Sequence, residues 1–416
     1  MAAEPRVAAT AGRARAALIW APVGALVTAA WVFTAVRLWN SSVVPDGLDL
    51  PDLDQHDFFT PSQLEKAADY ERFLRIDFLL ATVALLVVLG IWAAKGERFT
   101  RESAAGRVGT GMLLGMLGFA IVWLAQLPFV IAALYWGRDH GISKQGYFEV
   151  IAGSFLGLGG QFVFVCIGIG IVMGLAAWLK NNWWILGAPV FVALVAAYTF
   201  VQPYLLGNLH KPKPEIVVES RELARKQGID PVPVKVDKVK KYTTAANAMV
   251  VGIGPSRRVI LWDTLLDGRF KPDEVRVVLA HELGHISRNH VLKGVVWFAL
   301  FLVPAAILIA LVTRRKGGMY RPEAVPLALF VLIALQVATT PLQNVVSRHV
   351  EGEADWVAFQ TTRDPSAATR GFRRLATTSL SEPEPPGWAH VLFDTHPSVM
   401  QRIEMTRAWQ ERDGGR

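Results

Sequence analysis

Seven stretches of about 20 apolar residues, near 17–38, 77–94, 108–136, 150–179, 182–205, 291–312 and 324–345, constrain this chain more than any other feature. A helix rising 1.5 Å per residue needs about 20 such residues to cross a hydrocarbon layer roughly 30 Å thick. Within that layer only helices or closed barrels keep every backbone polar group bonded. Each stretch therefore predicts a membrane-crossing helix, the long third and fourth tilting or projecting beyond the bilayer. Composition agrees: 52% of the 416 residues are hydrophobic and 19% charged, too few charges for a water-soluble chain of this length.

The remaining bulk features exclude several classes. A single cysteine, Cys166, lies inside an apolar stretch and reads as a small buried hydrophobe, so neither an intramolecular disulfide nor a cysteine metal cluster is available. The formal charge of +8 sits largely in loops beside apolar runs, without the basic and aromatic interleaving of a nucleic-acid reader, and suits anchoring at a lipid bilayer. Arg6, Arg13 and Arg15 precede an apolar run longer than a signal-peptide core, which reads as an uncleaved anchor. The expected organisation is five spans over 1–205, a polar segment over 206–290, two spans over 291–345 and a polar tail over 346–416. Because two spans separate them, the two polar segments lie on the same side of the membrane. The expected fold is mainly α, a membrane protein of about seven spans with a small β-hairpin or sheet around Gly254-Pro255, from Ala248–Ile253 and Arg258–Trp262.

Chemistry enters with His281-Glu282-Leu283-Gly284-His285, an H-E-x-x-H sequence approached by a helical pattern from Pro272. Residues four apart share a helix face, so both imidazoles can reach one ion while Glu282 turns toward a water beside it. Neutral imidazole suits zinc, and two histidines with one carboxylate form a catalytic ligand set that leaves a position open. The tail supplies Glu351-Gly352-Glu353-Ala354-Asp355 on the same side of the membrane. Glu351 is the candidate third ligand, and Asp355, one turn on, can hold a ligand imidazole by its other nitrogen. Glu353 points away from Glu351 on a helix and is the weaker ligand candidate. Read alone, these acids also suit a solvated helix face.

Four stretches together resemble the integral-membrane gluzincin endopeptidases, in particular the CAAX prenyl protease family and the related bacterial heat-shock membrane proteases. They are Asn247-Ala248 followed by Val259–Leu266, the H-E-x-x-H helix, Ser347-Arg348-His349-Val350-Glu351-Gly352-Glu353-Ala354-Asp355, and Thr395-His396-Pro397 with Arg402. The similarity covers about 230–410, and seven spans match the CAAX branch, which implies a zincin-type catalytic domain capping a ring of helices around a water-filled chamber. It implies one zinc per chain on His281, His285 and Glu351, Glu282 as base, Asp355 beside a ligand, and His396 near the metal as a donor to the oxyanion. Arg402 would bind substrate backbone or pair with a carboxylate. Asn247 and Ala248 open a strand that either holds an extended substrate or packs as an ordinary hairpin. Where the CAAX branch carries a histidine two residues before the asparagine, this chain has Ala245, which separates its substrate range from its chemistry.

The expected activity is hydrolysis of peptide bonds in peptides or membrane-associated proteins, by a multi-pass protein whose Ala, Arg and Gly-rich vocabulary suits a bacterial cell membrane. Short basic loops lie opposite the catalytic segments and vote for an active site outside the cytoplasm. The family resemblance implies a cytoplasmic site, and the reading leans that way. The competing readings are a non-catalytic zinc-stabilised scaffold, which would not need Glu282, and a seven-span transporter or receptor, which would carry charges at its span centres.

Overall fold

The computed structural model of the protein describes residues 25–100 and 103–413. It divides into two units, Met1–Ser42 and Val43–Arg416. The described part of the first contains one helix, α1 (Ala25–Trp39), apolar but shorter than the 18 residues taken for a span. Residues 17–24 of the expected first span lie outside the described residues.

In the second unit six helices are long and apolar enough to cross a membrane. They are α2 (Pro61–Lys95), α3 (Gly106–Asp139), α4 (Tyr147–Leu179), α5 (Trp184–Leu205), α8 (His290–Thr313) and α9 (Val325–Thr362). Large apolar side chains such as Phe148, Leu156 and Trp178 are more than 70% exposed, as expected where the surrounding solvent is lipid. Close helix packing uses small residues: a methyl group on Gly111 or Gly115 of α3 would collide with Met173 or Ile169 of α4. Around Gly157, Gly159 and Gly160 of α4 there is open space instead.

Two spans run further than their apolar cores. The Thr60 side chain accepts from the Gln63 amide while the Gln63 side chain accepts from the Thr60 amide, a reciprocal cap that starts α2 some 16 residues before its apolar run. Ala67, Tyr70 and Arg75 of this extension are buried. Helix α9 has 38 residues, about 57 Å at 1.5 Å per residue. It leaves the apolar layer unbroken and carries Glu351, Glu353 and Asp355 on its polar end.

Between α5 and α8 the chain forms α6 (Pro214–Lys226), four strands and α7 (Pro272–Ser287). The strands β1 (Leu209–His210), β2 (Val234–Asp237), β3 (Ala248–Val251) and β4 (Arg258–Trp262) make one mixed sheet in the order β1-β2-β4-β3. The expected hairpin is β3 and β4, antiparallel with Ala248 opposite Leu261. The sheet also holds β2, parallel to β4, which the hairpin pattern does not announce. Val259 and Leu261 are fully buried against Leu279 and Leu283, so α7 is seated on the sheet by its apolar face. Lys271 precedes Pro272 at the helix start, and the buried Glu274 carboxylate accepts the Lys271 amide at 3.0 Å and pairs with Arg374 at 2.7 Å. After α9 come α10 (Pro365–Ser379), α11 (Gly387–Phe393) and α12 (Val399–Asp413), the first and last closing a core around Trp356, Phe359 and Met400.

The crossing of α7 over α9 is tight. A methyl group on Gly284 would stand 3.2 Å from the Ala354 carbonyl oxygen and 3.4 Å from Val357 Cβ. Gly284→Val should force the two helices apart, costing about 1–3 kcal/mol as overpacking does. A lower melting temperature in detergent together with reduced metal content is the expected result; a melting curve and metal content equal to wild type would contradict this packing.

Candidate metal centre

His281 and His285 lie one turn apart on α7, their Nε2 atoms 3.1 Å from each other. Glu351 Oε2 on α9 stands 3.2 Å from His281 Nε2 and 3.6 Å from His285 Nε2. Four ligands at about 2.0–2.1 Å around a zinc-sized ion stand about 3.3 Å apart. The three measured edges match that spacing. Glu351 Oε2 is buried and accepts no aligned hydrogen bond, although three imidazole nitrogens converge on it. An oxygen in that condition fits a shared cation better than a hydrogen-bond network. Among the described residues this is the one such group of three potential ligands.

The supporting contacts come from three elements. Asp355, fully buried one turn along α9 from Glu351, meets His281 Nδ1 at 2.8 Å. Arg402 of α12 grips both Asp355 oxygens, Nη2 at 2.7 Å and Nε at 2.8 Å, and lies 4.1 Å over the Phe372 ring. Of the two roles open to Arg402, the carboxylate pairing is the one its geometry displays. His396 sits between α11 and α12 with Nε2 3.2 Å from Glu351 Oε2. Its loop is held by Arg348 of α9, which donates to the carbonyls of His390 and Asp394 at 2.9 and 2.7 Å.

A cavity of about 430 Å³ opens over this group, lined by His281, Glu282, His285 and His396 and on one side by β3 and the residue before it. Strand β3 is an outer strand paired with β4 alone, so its other edge is unpaired beside the cavity. Asn247, exposed, gives its carbonyl to the Trp262 amide at 3.0 Å, and its side-chain oxygen lies 2.9 Å from the Ala248 amide. Burial raises the Glu282 pKa, the Glu351 charge adds to this, and the neighbouring imidazoles only partly offset it. For His281 burial acts downward, yet Asp355 and Glu351 overcome it and push the metal-free imidazole up to about 10.

Comparison with known proteins gives the family and the fold. The sequence profile of peptidase family M48 matches residues 210–410. The uncharacterized metalloprotease YhfN of Bacillus subtilis is 26% identical over 393 residues, covering 88% of this chain and 91% of that protein. Protease HtpX homolog 1 of Streptomyces coelicolor is 30% identical over 271 residues, 57% of this chain and 86% of that protein. The chain belongs to peptidase family M48. The crystal structure of S. mikatae Ste24p has the same fold, with a TM-score of 0.74 at 17% identity, covering 91% of this chain and 96% of that one. Six long apolar helices and M48 membership make the protein an integral membrane metalloprotease.

One pair in this M48 centre escapes sequence reasoning. His290 Nδ1 lies 2.9 Å from His285 Nδ1, and His290 Nε2 lies 2.9 Å from Glu353 Oε2. The available signal was the spacing of five from His285, which a continuous helix would turn away. Asn289, left-handed at φ 54°, breaks α7 and swings His290 back.

Because His281 carries a proton at neutral pH in the metal-free protein, metal uptake must expel it. Apparent zinc affinity of chelator-stripped protein should therefore rise about tenfold per pH unit between about pH 7 and 9. Competition titrations at several pH values check this, and a flat profile would contradict it.

Proposed function

We propose that the protein is a zinc endopeptidase of the membrane, with one zinc per chain held by His281, His285 and Glu351 and with Glu282 as the base. The observation that carries this reading is the convergence of those three ligands beside a buried carboxylate, in a cavity bordered by an unpaired strand edge. We further assign the polar segments 206–290 and 346–416 to one catalytic unit, carried by the membrane regions 1–205 and 291–345. A scaffold would need the ligands but not Glu282 in the cavity.

When bound, zinc supplies a Lewis acid that polarises a peptide carbonyl and makes water more acidic. The free edge of β3 from Asn247 and Ala248 onward can take an extended substrate as an added antiparallel strand, by main-chain hydrogen bonds. Glu282, whose pKa burial raises above the ordinary carboxylate value, takes a proton as the water oxygen attacks the carbonyl carbon. It then returns that proton to the amide nitrogen as the C–N bond breaks, leaving an acid and an amine. His396, at the mouth and partly exposed, is placed to donate to the carbonyl oxygen as it gains charge. Asp355, locked by Arg402, fixes the His281 ring so that its Nε2 faces the ligands.

The substrates this reading favours are peptides and membrane-associated proteins, with Ala245 setting the chain apart from the CAAX branch in specificity. The Ala, Arg and Gly-rich composition favours a bacterial cell membrane, and the family resemblance favours a centre toward the cytoplasm, against the vote of the basic loops. Labelling of a cysteine introduced at Glu411, with a membrane-impermeant reagent on intact cells, decides between the sides.

Glu282→Gln should keep zinc and lose about 10²–10⁴-fold in cleavage of a quenched peptide library, because the ligands are spared and the proton acceptor is gone. His396→Ala should lower kcat by about 10²-fold with KM little changed. Zinc-loaded Glu282→Gln that cleaves like wild type would sink the assignment of the base; zinc-free wild type would sink the ligand set.

A further inference from the structure

We propose that His290 and Glu353 act as a positioning relay that sets the tautomer and ring orientation of His285, doing through one additional imidazole what Asp355 does directly for His281. The inference rests on the metal assignment made above and concerns residues that reach the metal only through His285.

The proton bookkeeping leaves little freedom. His285 turns Nε2 toward His281 and Glu351, so its ligand lone pair is on Nε2 and its proton on Nδ1. That Nδ1 lies 2.9 Å from His290 Nδ1, which must then be an acceptor. A neutral His290 accepting at Nδ1 carries its proton on Nε2, and that atom lies 2.9 Å from Glu353 Oε2. Each link has one donor and one acceptor, running from His285 outward to a carboxylate.

The carboxylate end is rigid. Glu353 Oε1 accepts from Arg288 Nε at 2.6 Å and from the Val43 amide at 3.2 Å, while Lys293 Nζ stands 3.5 Å from Oε2. The side chains of His290 and Glu353 are only 3% and 2% exposed, so their polar atoms depend on each other and on neighbouring side chains more than on bulk solvent. The rings of His285 and His290 meet edge to face, centroids 5.0 Å apart and planes at 73°, which leaves the shared nitrogens as their contact.

The difference between the two ligands follows from the helix crossing. Asp355 of α9 lies beside His281 and touches it without help. His285 is one turn further along α7 with Glu351 on its Nε2 side, and the left-handed Asn289 delivers His290 between its Nδ1 and the Glu353 carboxylate. If Glu353 served only to pair Arg288 and Lys293, the His290 ring would not need to align both nitrogens with two different partners.

The test uses full-length protein in detergent, with zinc affinity read by chelator competition and site geometry read from the visible spectrum of the cobalt-substituted protein. His290→Leu should bind zinc about 10–100-fold more weakly, as loss of such supporting contacts does, and should shift the cobalt bands. His290→Gln, whose Oε1 can accept from His285 while its amide donates to Glu353, should recover most of that loss. If His290→Leu fails to fold, His290→Asn takes its place, since its amide is too short to span both partners and should show the same deficit. Wild-type affinity and cobalt bands in His290→Leu or His290→Asn would overturn the relay, and so would a His290→Gln variant as weak as they are. Zinc-free wild type would instead overturn the metal assignment beneath it, which separates the two failures.

Discussion

Gly284 has no side chain, and at that position α7 comes within contact distance of the Ala354 backbone on α9. The metal centre depends on this approach. Two of the proposed ligands stand on one helix and the third on the other, so the reach of a glutamate side chain limits how far apart the helix axes can be. Both helices are held from behind: α7 by the sheet through Leu279 and Leu283, and the end of α9 by α10 and α12 through Trp356 and Phe359. The chain leaves α7 directly into the span α8, and α9 is itself the polar continuation of a span. The centre is therefore bracketed in the chain by two helices long and apolar enough to cross a membrane.

Burying this many charges beside one another is costly unless each is paired. The pairs are present. Asp355 holds His281 on one side and Arg402 on the other, Glu353 gathers His290, Arg288 and Lys293, and Glu274 pairs with Arg374 at the start of α7. What is left without an aligned partner is Glu351 Oε2, at the point where three imidazoles meet. Under the proposed function, a cation there would complete the arrangement. Glu282 is buried beside it without a dedicated partner, which is the condition that raises a carboxylate pKa toward the range of a useful proton acceptor.

Much of this was legible because the relevant signals are periodic or local. Apolar runs announce spans, H-E-x-x-H carries its own helical geometry, and an even number of spans puts Glu351 on the side of the histidines. The hairpin of β3 and β4 follows from a Gly-Pro turn between β-rich runs. Other features were hidden because they are long-range. Strand β2, only Val234–Asp237, has no partner signal in its own residues and is held by parallel pairing with β4. The early start of α2 rests on the cap at Thr60 and on burial of Ala67 and Tyr70, not on hydropathy. His290 carries no signal in the sequence because its two partners come from the left-handed turn at Asn289 and from a carboxylate on α9.

The central claim is that α7 and α9 together hold one zinc through two imidazoles and a carboxylate. Zinc X-ray absorption on the purified protein tests it most directly. The account predicts a first shell of nitrogen and oxygen at about 2.0–2.2 Å with two imidazoles, losing an oxygen ligand in Glu351→Ala. A sulfur ligand near about 2.3 Å, or a shell unchanged by Glu351→Ala, would contradict it.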